Sequence, residues 1–297
     1  MTNPSSPPCL IVNADDYGYF RCVSRGILES ARQGIVTATG VFANAPDIAE
    51  QAAWLRECDH LDTGVHLNLT DGMPLTGNMR EKLSRWRGRF PRKFSLAAHV
   101  LSGSVTPEDV RLEWKAQVER CLELQLRPRF LNSHEHIHML PPLFPVAREL
   151  AAHFGIAHLR FPTARLSVGA PPAALLRNAI MKGLEWANRG GRGIPAPRFL
   201  GLAASGRLTL EALEREVLAM RPGGIYELMC HPGRFDANEV SDRRLLSYHD
   251  WEGELSALTS PSARALLESR GVRLIGYRHL EVRDGRLAVR PEAHDGS

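Results

Sequence analysis

The sequence predicts an α/β fold in which a parallel sheet curls into a closed or nearly closed (β/α) barrel. Short apolar runs alternate with longer amphipathic segments along almost all of the 297 residues. The runs are apolar on both faces, which is typical of parallel strands buried on both sides. Seven or eight strand–helix units fit into this length, and that number favours a barrel over a doubly wound open sheet.

Eight β-rich runs are the candidate strands, and amphipathic segments between them are the candidate helices. Residues 107–126 repeat apolar side chains at helical spacing, 142–154 follow a Pro-Pro pair, and Thr209 opens 209–220 as a helix-capping residue type. The predicted strands are 9–14, 35–43, 63–69, 128–133, 156–161, 197–202, 224–230 and 272–277.

Two segments interrupt this alternation. Residues 72–106 follow the third strand, and residues 163–196 are rich in Pro, Gly and Arg. In a barrel both would lie on the face where the strands end, so both are candidates for a lid or a substrate wall. No repeat or domain boundary is evident, and we expect one domain over residues 1–297.

Composition narrows the class of protein. A net charge of +4 gives no support for nucleic-acid binding, and no apolar run reaches the length of a membrane span. Five scattered cysteines without a C-x-x-C pair are typical of free thiols in a reducing compartment. The start, "MTNPSSPP", has neither a basic nor an apolar signal region, so we expect a cytoplasmic protein without stable membrane insertion.

Ionisable side chains recur where the apolar strands end. Each one alone has an ordinary explanation, such as a turn or a helix cap. Four strand ends with the same property are harder to explain separately, and in a barrel these ends meet on one face. The polar residues concerned are Asn13, Asp15, Asp16, His66, Asn68, the histidines of "NSHEHIH", Glu227 and His231.

A mixed set of aspartate and histidines suits a divalent metal such as Zn²⁺ or Mg²⁺ with open positions for water and substrate. If strand geometry continues through Asp15 and Asp16, the two side chains point in different directions. One carboxylate could then bind the metal while the other takes a proton from the attacking water. His231, on the opposite wall, could protonate the leaving group.

The stretch "NSHEHIHML" permits two interpretations. His134, Glu135 and His138 spell the H-E-x-x-H signature of zinc proteases, which requires a helix. Here the motif follows a β-type run and is stopped by Pro141 and Pro142, so little helix is available. In an extended conformation, His134, His136 and His138 would instead share one face. We therefore disfavour the protease interpretation.

Four motifs together resemble the YdjC-like (ChbG/HpnK) carbohydrate deacetylases: "LIVNADDYG", "TGVHLNLTDGMPLT", "NSHEHIHMLP" and "ELMCHPG". The resemblance implies a distorted TIM-like (β/α) barrel with lid insertions. It implies removal of an N-acetyl group from an amino sugar on an oligosaccharide or glycolipid, one divalent metal ion (Mg²⁺ or Zn²⁺), and a homodimer. By residue, it implies Asp16, His66 and His134 as metal ligands, Asp15 as general base, His231 as general acid or oxyanion stabiliser, and Arg160, His136 and His138 as substrate-binding residues.

Two residues depart from the family pattern. The family often has aspartate where this chain has Asn132, and Glu135 is unusual between the histidines. Asn132 could still orient a neighbour by hydrogen bonding. Two other functions stay open from the residues: a metal-dependent phosphoesterase on a similar barrel, and an inactive carbohydrate-binding protein. Residues 79–94, basic and aromatic, are either a solvated lid or a wall that binds sugar faces or an anionic group.

Overall fold

The computed structural model describes residues 6–164, 172–191, 193 and 195–291, and its secondary structure is α/β as predicted. Each of the eight predicted runs overlaps one strand, and a C-terminal hairpin adds two more. The strands are β1 Cys9–Tyr17, β2 Ala38–Val41, β3 Asp62–Leu67, β4 Phe130–Ser133, β5 His158–Leu159, β6 Arg198–Leu200, β7 Ile225–Cys230, β8 Arg273–Leu274, β9 Leu280–Arg283 and β10 Arg286–Val289.

The three segments with helical spacing form helices close to the predicted bounds. Thr209 caps the third of them, since its side chain accepts a hydrogen bond from the backbone N–H of Ala212. Short 3₁₀ turns occur at Ser84–Trp86, His134–Met139, Arg189–Gly191 and Tyr277–His279. The helices are α1 Arg21–Gln33, α2 Ile48–Arg56, α3 Gly77–Lys82, α4 Lys93–Leu101, α5 Pro107–Glu123, α6 Phe144–His153, α7 Pro172–Asn188, α8 Leu210–Leu218, α9 Arg243–Tyr248, α10 Trp251–Thr259 and α11 Pro261–Ser269.

The main sheet is parallel and curls into a distorted barrel, as the sequence predicts. Its order is β5-β4-β3-β2-β1-β7-β6, and β8 pairs with the first residues of β1. Within the described residues β5 and β6 are not paired with each other, so the barrel is open between them. Arg160, which follows β5, nevertheless contacts β6 and β7 through Phe199 and Glu227, so its side chain spans this opening.

The inner face of the barrel changes from apolar to polar along the strands. Near the strand starts, Ile11, Ala38, Phe130 and Tyr277 form a small buried cluster that is distinct from the larger core under the helices. Because side chains alternate between the faces of a strand, the residues that follow on the same face of β1 are Asn13 and Asp15. The apolar layer thus closes the base of the barrel and leaves the polar layer at the carboxyl ends.

The first predicted insertion, residues 72–106, contains α3 and α4 and is attached to α5. The buried carboxylate of Glu113 accepts hydrogen bonds from the backbone of Leu75 and from the backbone and hydroxyl of Thr76. Of its aromatic residues, Phe90 is buried, whereas Phe94 is 73% exposed.

The second predicted insertion, residues 163–196, contains α7 but lies partly outside the described residues. Asn188, at the end of α7, donates a hydrogen bond to the backbone oxygen of Met139, which attaches this helix to the turn that follows β4. In the part of the chain that the structure describes, no helix combines the length and apolar character that a membrane span requires.

Candidate metal and catalytic site

Three side chains from three strand ends converge at the polar end of the barrel. Asp16 lies in β1, His66 lies in β3, and His134 directly follows β4. Nε2 of His66 and Nδ1 of His134 lie 3.2 and 3.0 Å from the same oxygen, Oδ1 of Asp16. One donor atom from each of the three lies within 4.8 Å of the others, a spacing that could hold a metal ion. Asp16 and His66 are buried, and His134 is partly exposed, so the group opens towards solvent on the His134 side.

A bulge in β1 separates the side chains of Asp15 and Asp16. The pairing of β1 with β2 shifts register between Ala14 and Tyr17, and Asp16 has φ +72°. The expectation of continuous strand geometry is therefore wrong at this point, although the two carboxylates do point to different partners. A left-handed residue other than glycine costs about 1–3 kcal/mol and persists where the surroundings enforce it. The bulge turns Asp16 towards the two histidines, while Asp15 stays with the inner face.

Asn132 connects a histidine of this group to Asp15. Nδ1 of His66 lies 2.7 Å from Oδ1 of Asn132, and Nδ2 of Asn132 donates to Oδ1 of Asp15 at 2.8 Å. An amide oxygen accepts a hydrogen bond and cannot donate one, so Nδ1 of His66 carries a hydrogen, and in the neutral ring the free lone pair lies on Nε2, which faces Asp16. Gly40 leaves room for this pair, because a Cβ there would lie 3.0 Å from Oδ1 of Asn132.

Asp15 is buried and bound by a guanidinium. Arg160 donates to both of its oxygens, from Nη1 to Oδ2 at 2.5 Å and from Nη2 to Oδ1 at 2.9 Å. Nδ2 of Asn13 also donates to Oδ1 at 2.8 Å. Burial opposes the charged form, but the charge of Arg160 outweighs it, and the pKa of Asp15 lies below its ordinary value. Asp15 is therefore an oriented carboxylate, and its Oδ2 carries fewer hydrogen bonds than its Oδ1.

Arg160 is 1% exposed and lies between two carboxylates. Its Nε donates to Oε1 of Glu227 at 2.7 Å, and its guanidinium lies 5.3 Å from the ring centroid of Phe199. Burial lowers the pKa of Arg160, but Asp15 and Glu227 raise it further, so the group stays charged. In this geometry Arg160 holds Asp15, and its assignment to substrate binding stays a prediction.

The turn His134–Met139 adopts neither conformation considered for its sequence. It consists of 3₁₀ turns interrupted by a kink, at which Glu135 (φ +52°) and His136 (φ +55°) are left-handed. The expected extended strand with three histidines on one face is therefore wrong. The α-helix that a zinc-protease motif needs is also absent from this described segment, and His138 is not part of the group formed by Asp16, His66 and His134.

His138 is fully buried, and both of its ring nitrogens have partners. Nδ1 lies 2.5 Å from the hydroxyl of Ser133, and Nε2 lies 3.0 Å from the backbone oxygen of Arg160. Burial lowers its pKa to about 3, so the ring is neutral. His138 fixes the turn to the strand beside it, and a role in substrate binding stays a prediction.

His136 and Glu135 point away from each other. Nδ1 of His136 is buried and has no hydrogen-bond partner among the described residues, and its ring lies edge-on to Phe199 at 5.6 Å. Burial and the nearby charge of Arg160 hold its pKa well below the ordinary value. Glu135, which the sequence left unexplained, forms an ion pair of 2.8 Å with Lys93 of α4. It thus attaches the first insertion to the turn that carries His134.

His231 follows β7 and is buried. When charged, it lowers the pKa of Asp15, which places the two groups in the same electrostatic environment. Its ring centroid lies 5.2 Å from that of His249, and its backbone N–H donates to Oε2 of Glu254 at 2.6 Å. His249 and Glu254 have no sequence signal of their own, because they lie outside the strand ends that marked the other residues.

The three converging groups fit a divalent cation. Burial opposes the charge of Asp16, but His134 and His66 outweigh it, and its pKa lies well below the ordinary value. Burial lowers the pKa of His134, yet the carboxylate of Asp16 raises it to about 9. A carboxylate that holds a proton on a neighbouring imidazole offers the same attraction to a cation, which must displace that proton.

The fold and the site define a class: a parallel α/β barrel whose strand ends carry one aspartate and two histidines suited to a divalent cation. A profile of the YdjC-like protein family matches residues 9–269. The chain therefore belongs to the YdjC-like family, as its four motifs predict.

Curated relatives match nearly the whole chain. A carbohydrate deacetylase of Geobacillus stearothermophilus is 30% identical over 272 residues, which cover 92% of this chain and 98% of the relative. A chitooligosaccharide deacetylase of Escherichia fergusonii is 33% identical over 273 residues, which cover 90% and 97%.

A crystal structure from Enterococcus faecalis V583, of a protein with a suggested role in cellobiose-phosphate cleavage, has a TM-score of 0.71 and 24% identity. The matched region covers 92% of this chain and 98% of the chain in that structure, so the two proteins share a fold.

Proposed function

We propose that this protein is a metal-dependent hydrolase that removes an N-acetyl group from an N-acetylated amino sugar, on an oligosaccharide or a glycolipid. The observation that carries the proposal is the convergence of Asp16, His66 and His134 next to the separately held carboxylate of Asp15. Amide hydrolysis needs both a polarising centre and a proton acceptor. The names of the curated relatives support the substrate class.

The proposed cofactor is one divalent ion, Mg²⁺ or Zn²⁺, held by Asp16, His66 and His134. Two imidazole nitrogens and a carboxylate, with room for water, form a donor set common at catalytic zinc sites. When bound, such an ion lowers the pKa of a coordinated water and polarises a carbonyl oxygen. Asn132 supports this use of His66, since it leaves Nε2 of the ring as the free nitrogen.

Asp15 and His231 are the proposed proton carriers. Asp15 is ionised because Arg160 lowers its pKa, so it can accept a proton from the attacking water. Arg160 and Asn132 fix the direction of that carboxylate. His231 would donate a proton to the amine that leaves, or stabilise the oxyanion.

Arg160, His136 and His138 stay the proposed substrate-binding residues. His136 has the strongest support among the three, because its buried Nδ1 is without a partner in the described part of the chain. The exposed ring of Phe94, in the basic segment 79–94, is a surface on which a sugar face could stack.

The observations favour deacetylation over the phosphoesterase interpretation. Phosphoesterases of this kind need more ligands, often for two or three metal ions. The positive charge of Arg160 is balanced by Asp15 and Glu227. Among the described residues, one group of His, Cys, Asp and Glu has metal-binding spacing.

We further propose a cytoplasmic location and a homodimer. All five cysteines are free and buried, which supports a reducing compartment. The dimer rests on family resemblance.

Two measurements test the proposal: the metal bound to the purified protein, and the release of acetate from N-acetylglucosamine oligomers and glycolipids. A phosphoesterase substrate is assayed in parallel to test the alternative function. Asp15→Asn should keep the metal and lose turnover, whereas His134→Ala should lose both. The exposed residues Asp59 and His153 provide matched controls, as Asp59→Asn and His153→Ala.

Near-native deacetylation by Asp15→Asn would show that Asp15 is not the base. A wild-type protein that binds no divalent ion under any condition would exclude the whole proposal.

A further inference from the structure

A buried carboxylate that the proposed reaction has not used lies beside His231. Glu254, in the first turn of α10, is 1% exposed. Its Oε2 accepts the backbone N–H of His231, and its Oε1 lies 4.0 Å from Nδ1 of the same residue. Oε1 and Nδ1 are both buried, and neither has a hydrogen-bond partner among the described residues. An unpaired acceptor beside an unpaired ring nitrogen is unusual in a protein interior and calls for an explanation.

We infer that Glu254 is the positioning residue of His231: its carboxylate holds the imidazole at Nδ1 so that Nε2 is presented to the substrate on the side of Asp15. The inference rests on the proposed function. The 4.0 Å separation is about 1 Å longer than a hydrogen bond, and catalytic hydrogen bonds are often long before substrate binds.

The proton balance of this arrangement is simple. As the C–N bond breaks, its electron pair stays on the amine nitrogen, and that nitrogen takes the proton from Nε2 of the imidazolium. The ring becomes neutral and keeps the proton on Nδ1, where Glu254 accepts its hydrogen bond. Burial raises the pKa of Glu254, and the charge of His231 and the backbone N–H groups of His231 and Leu208 oppose that shift. In the proposed arrangement Glu254 stays a carboxylate throughout, so it stabilises the charged ring without receiving the proton.

The other groups around the ring do not replace Glu254. Asp15, His136, His249 and Glu254 are the titratable groups whose charges interact with that of His231. Burial, and then the charge of His231, lower the pKa of His249 to about 3, so that ring is neutral near pH 7. His249 stacks on Trp251 with ring centroids 4.8 Å apart and forms a rigid wall. Asp15 is bound by Arg160, which leaves Glu254 as the carboxylate facing Nδ1.

A structural explanation would make Glu254 a cap for the backbone of the loop after β7. A cap of that kind affects stability but has no effect on the ring of His231. Glu254→Gln separates the two roles, because glutamine keeps an oxygen for the backbone N–H and removes the negative charge. Glu252, exposed and in the same helical turn, provides the control Glu252→Gln.

For Glu254→Gln we expect kcat for acetate release to fall at least about tenfold, with KM within about twofold and Zn²⁺ binding unchanged. Histidine-selective ¹⁵N NMR of the full-length protein should show the pKa of the His231 ring reduced by about one unit or more, because the stabilising charge is lost. Glu252→Gln should change neither quantity. Native kcat together with an unchanged His231 titration in Glu254→Gln would overturn the inference.

One further measurement and two combined outcomes keep the test decisive. If Glu254→Gln does not fold, the tautomer of the neutral His231 ring in the wild type, read from the same NMR spectra, replaces it as the test. We expect the proton on Nδ1, and a proton on Nε2 would overturn the inference. If the wild type releases no acetate but Glu254→Gln lowers the pKa of His231, the interaction between Glu254 and His231 is supported and the proposed function is wrong. If the wild type releases acetate but Glu254→Gln leaves the pKa of His231 unchanged, the proposed function is supported and the role given to Glu254 is wrong.

Discussion

Asn132 is bonded to two groups that the proposed reaction uses. It accepts a hydrogen bond from His66 and donates one to Asp15. An amide can do both, whereas a carboxylate has no N–H to offer. The aspartate that the family often has at this position would keep the bond to His66 and place a second negative charge beside Asp15.

Two substitutions at Asn132 separate these contacts. Asn132→Leu should weaken Zn²⁺ binding by about 10- to 100-fold, because His66 loses the partner that fixes its tautomer. Asn132→Asp should keep Zn²⁺ binding near native and raise the pKa of Asp15, since like charges disfavour ionisation. Isothermal titration with Zn²⁺ measures the first effect. A shift of the acidic limb of kcat/KM to higher pH measures the second.

Asn238→Leu, at an exposed loop position, is the control for the change of side-chain type. Native Zn²⁺ affinity in Asn132→Leu would contradict the role given to the hydrogen bond between His66 and Asn132.

The sequence predicts the three candidate metal ligands more completely than the residues that hold the neighbouring side chains in place. Asp16, His66 and His134 were identified through their place at strand ends and through family motifs, and the structure brings them together. The role of Arg160 depends on which strands become neighbours, because Glu227 is 67 positions away along the chain. Glu254 has no local signal, since one glutamate in an amphipathic helix is ordinary until the fold places it against His231.

The turn His134–Met139 shows why its conformation could not be derived from residue types. Glu135 and His136 both adopt left-handed backbone angles, which side chains other than glycine disfavour. The conformational preferences of these residues therefore do not predict this turn. The surrounding contacts outweigh them: Ser133 holds the ring and backbone of His138, and Lys93 holds Glu135. These contacts come partly from α4, which is distant in sequence.

Helix α5 begins with a capping box that also attaches the first insertion. Thr106 and Asp109 satisfy each other's backbone N–H groups, and Asp109 also accepts from Lys82 at 2.5 Å and from Asn78 at 2.9 Å. Burial raises the pKa of Asp109, but the hydrogen bond from Lys82 and the cap outweigh it and the pKa is lowered. One carboxylate thus stabilises both the helix start and the contact with α3.

Asp109→Ala should lower the free energy of unfolding at pH 7 by about 1–2 kcal/mol, because cap and ion pair are lost together. A carboxylate whose pKa is lowered on folding contributes stability above its unfolded pKa and loses it as pH falls. The difference between wild type and variant should therefore shrink between pH 5 and pH 3. Urea denaturation at these pH values measures it.

Glu108→Ala, at the exposed neighbouring position, should change stability much less than Asp109→Ala, because solvent screens its pair with Arg111. A difference between wild type and Asp109→Ala that stays constant down to pH 3 would show that the charge of Asp109 is not what stabilises the helix start.

The parallel sheet and its barrel form were predicted from the sequence, but the strand order and the place where the barrel opens were not. All eight predicted runs are strands of one parallel sheet, since their apolar pattern reflects burial on both faces. Whether the last pair closes depends on strand length, and β5 and β6 are two and three residues long. The side chain of Arg160 spans the space between them and joins β1, β6 and β7.

Arg160→Met should lower the free energy of unfolding at pH 8 by about 3–5 kcal/mol, because Asp15 and Glu227 become buried charges without a cation. Both carboxyls should then have pKa values above those of the unfolded chain. Such groups favour the folded state at low pH, so the variant should regain stability between pH 8 and pH 5. Urea denaturation at the two pH values measures this.

Arg198→Met is the matched control, since Arg198 is an exposed arginine of β6. Equal losses of stability at pH 5 and pH 8 in Arg160→Met would contradict the account of Arg160 as counterion to both carboxylates.

The open side of the barrel also bears on how copies of this chain behave at high concentration. Unpaired N–H and C=O groups along a sheet edge are a template on which another molecule can add a strand and begin to aggregate. Here each edge strand is shorter than four residues and offers few such groups. The opening that makes room for the buried guanidinium therefore gives a second molecule little backbone to pair with.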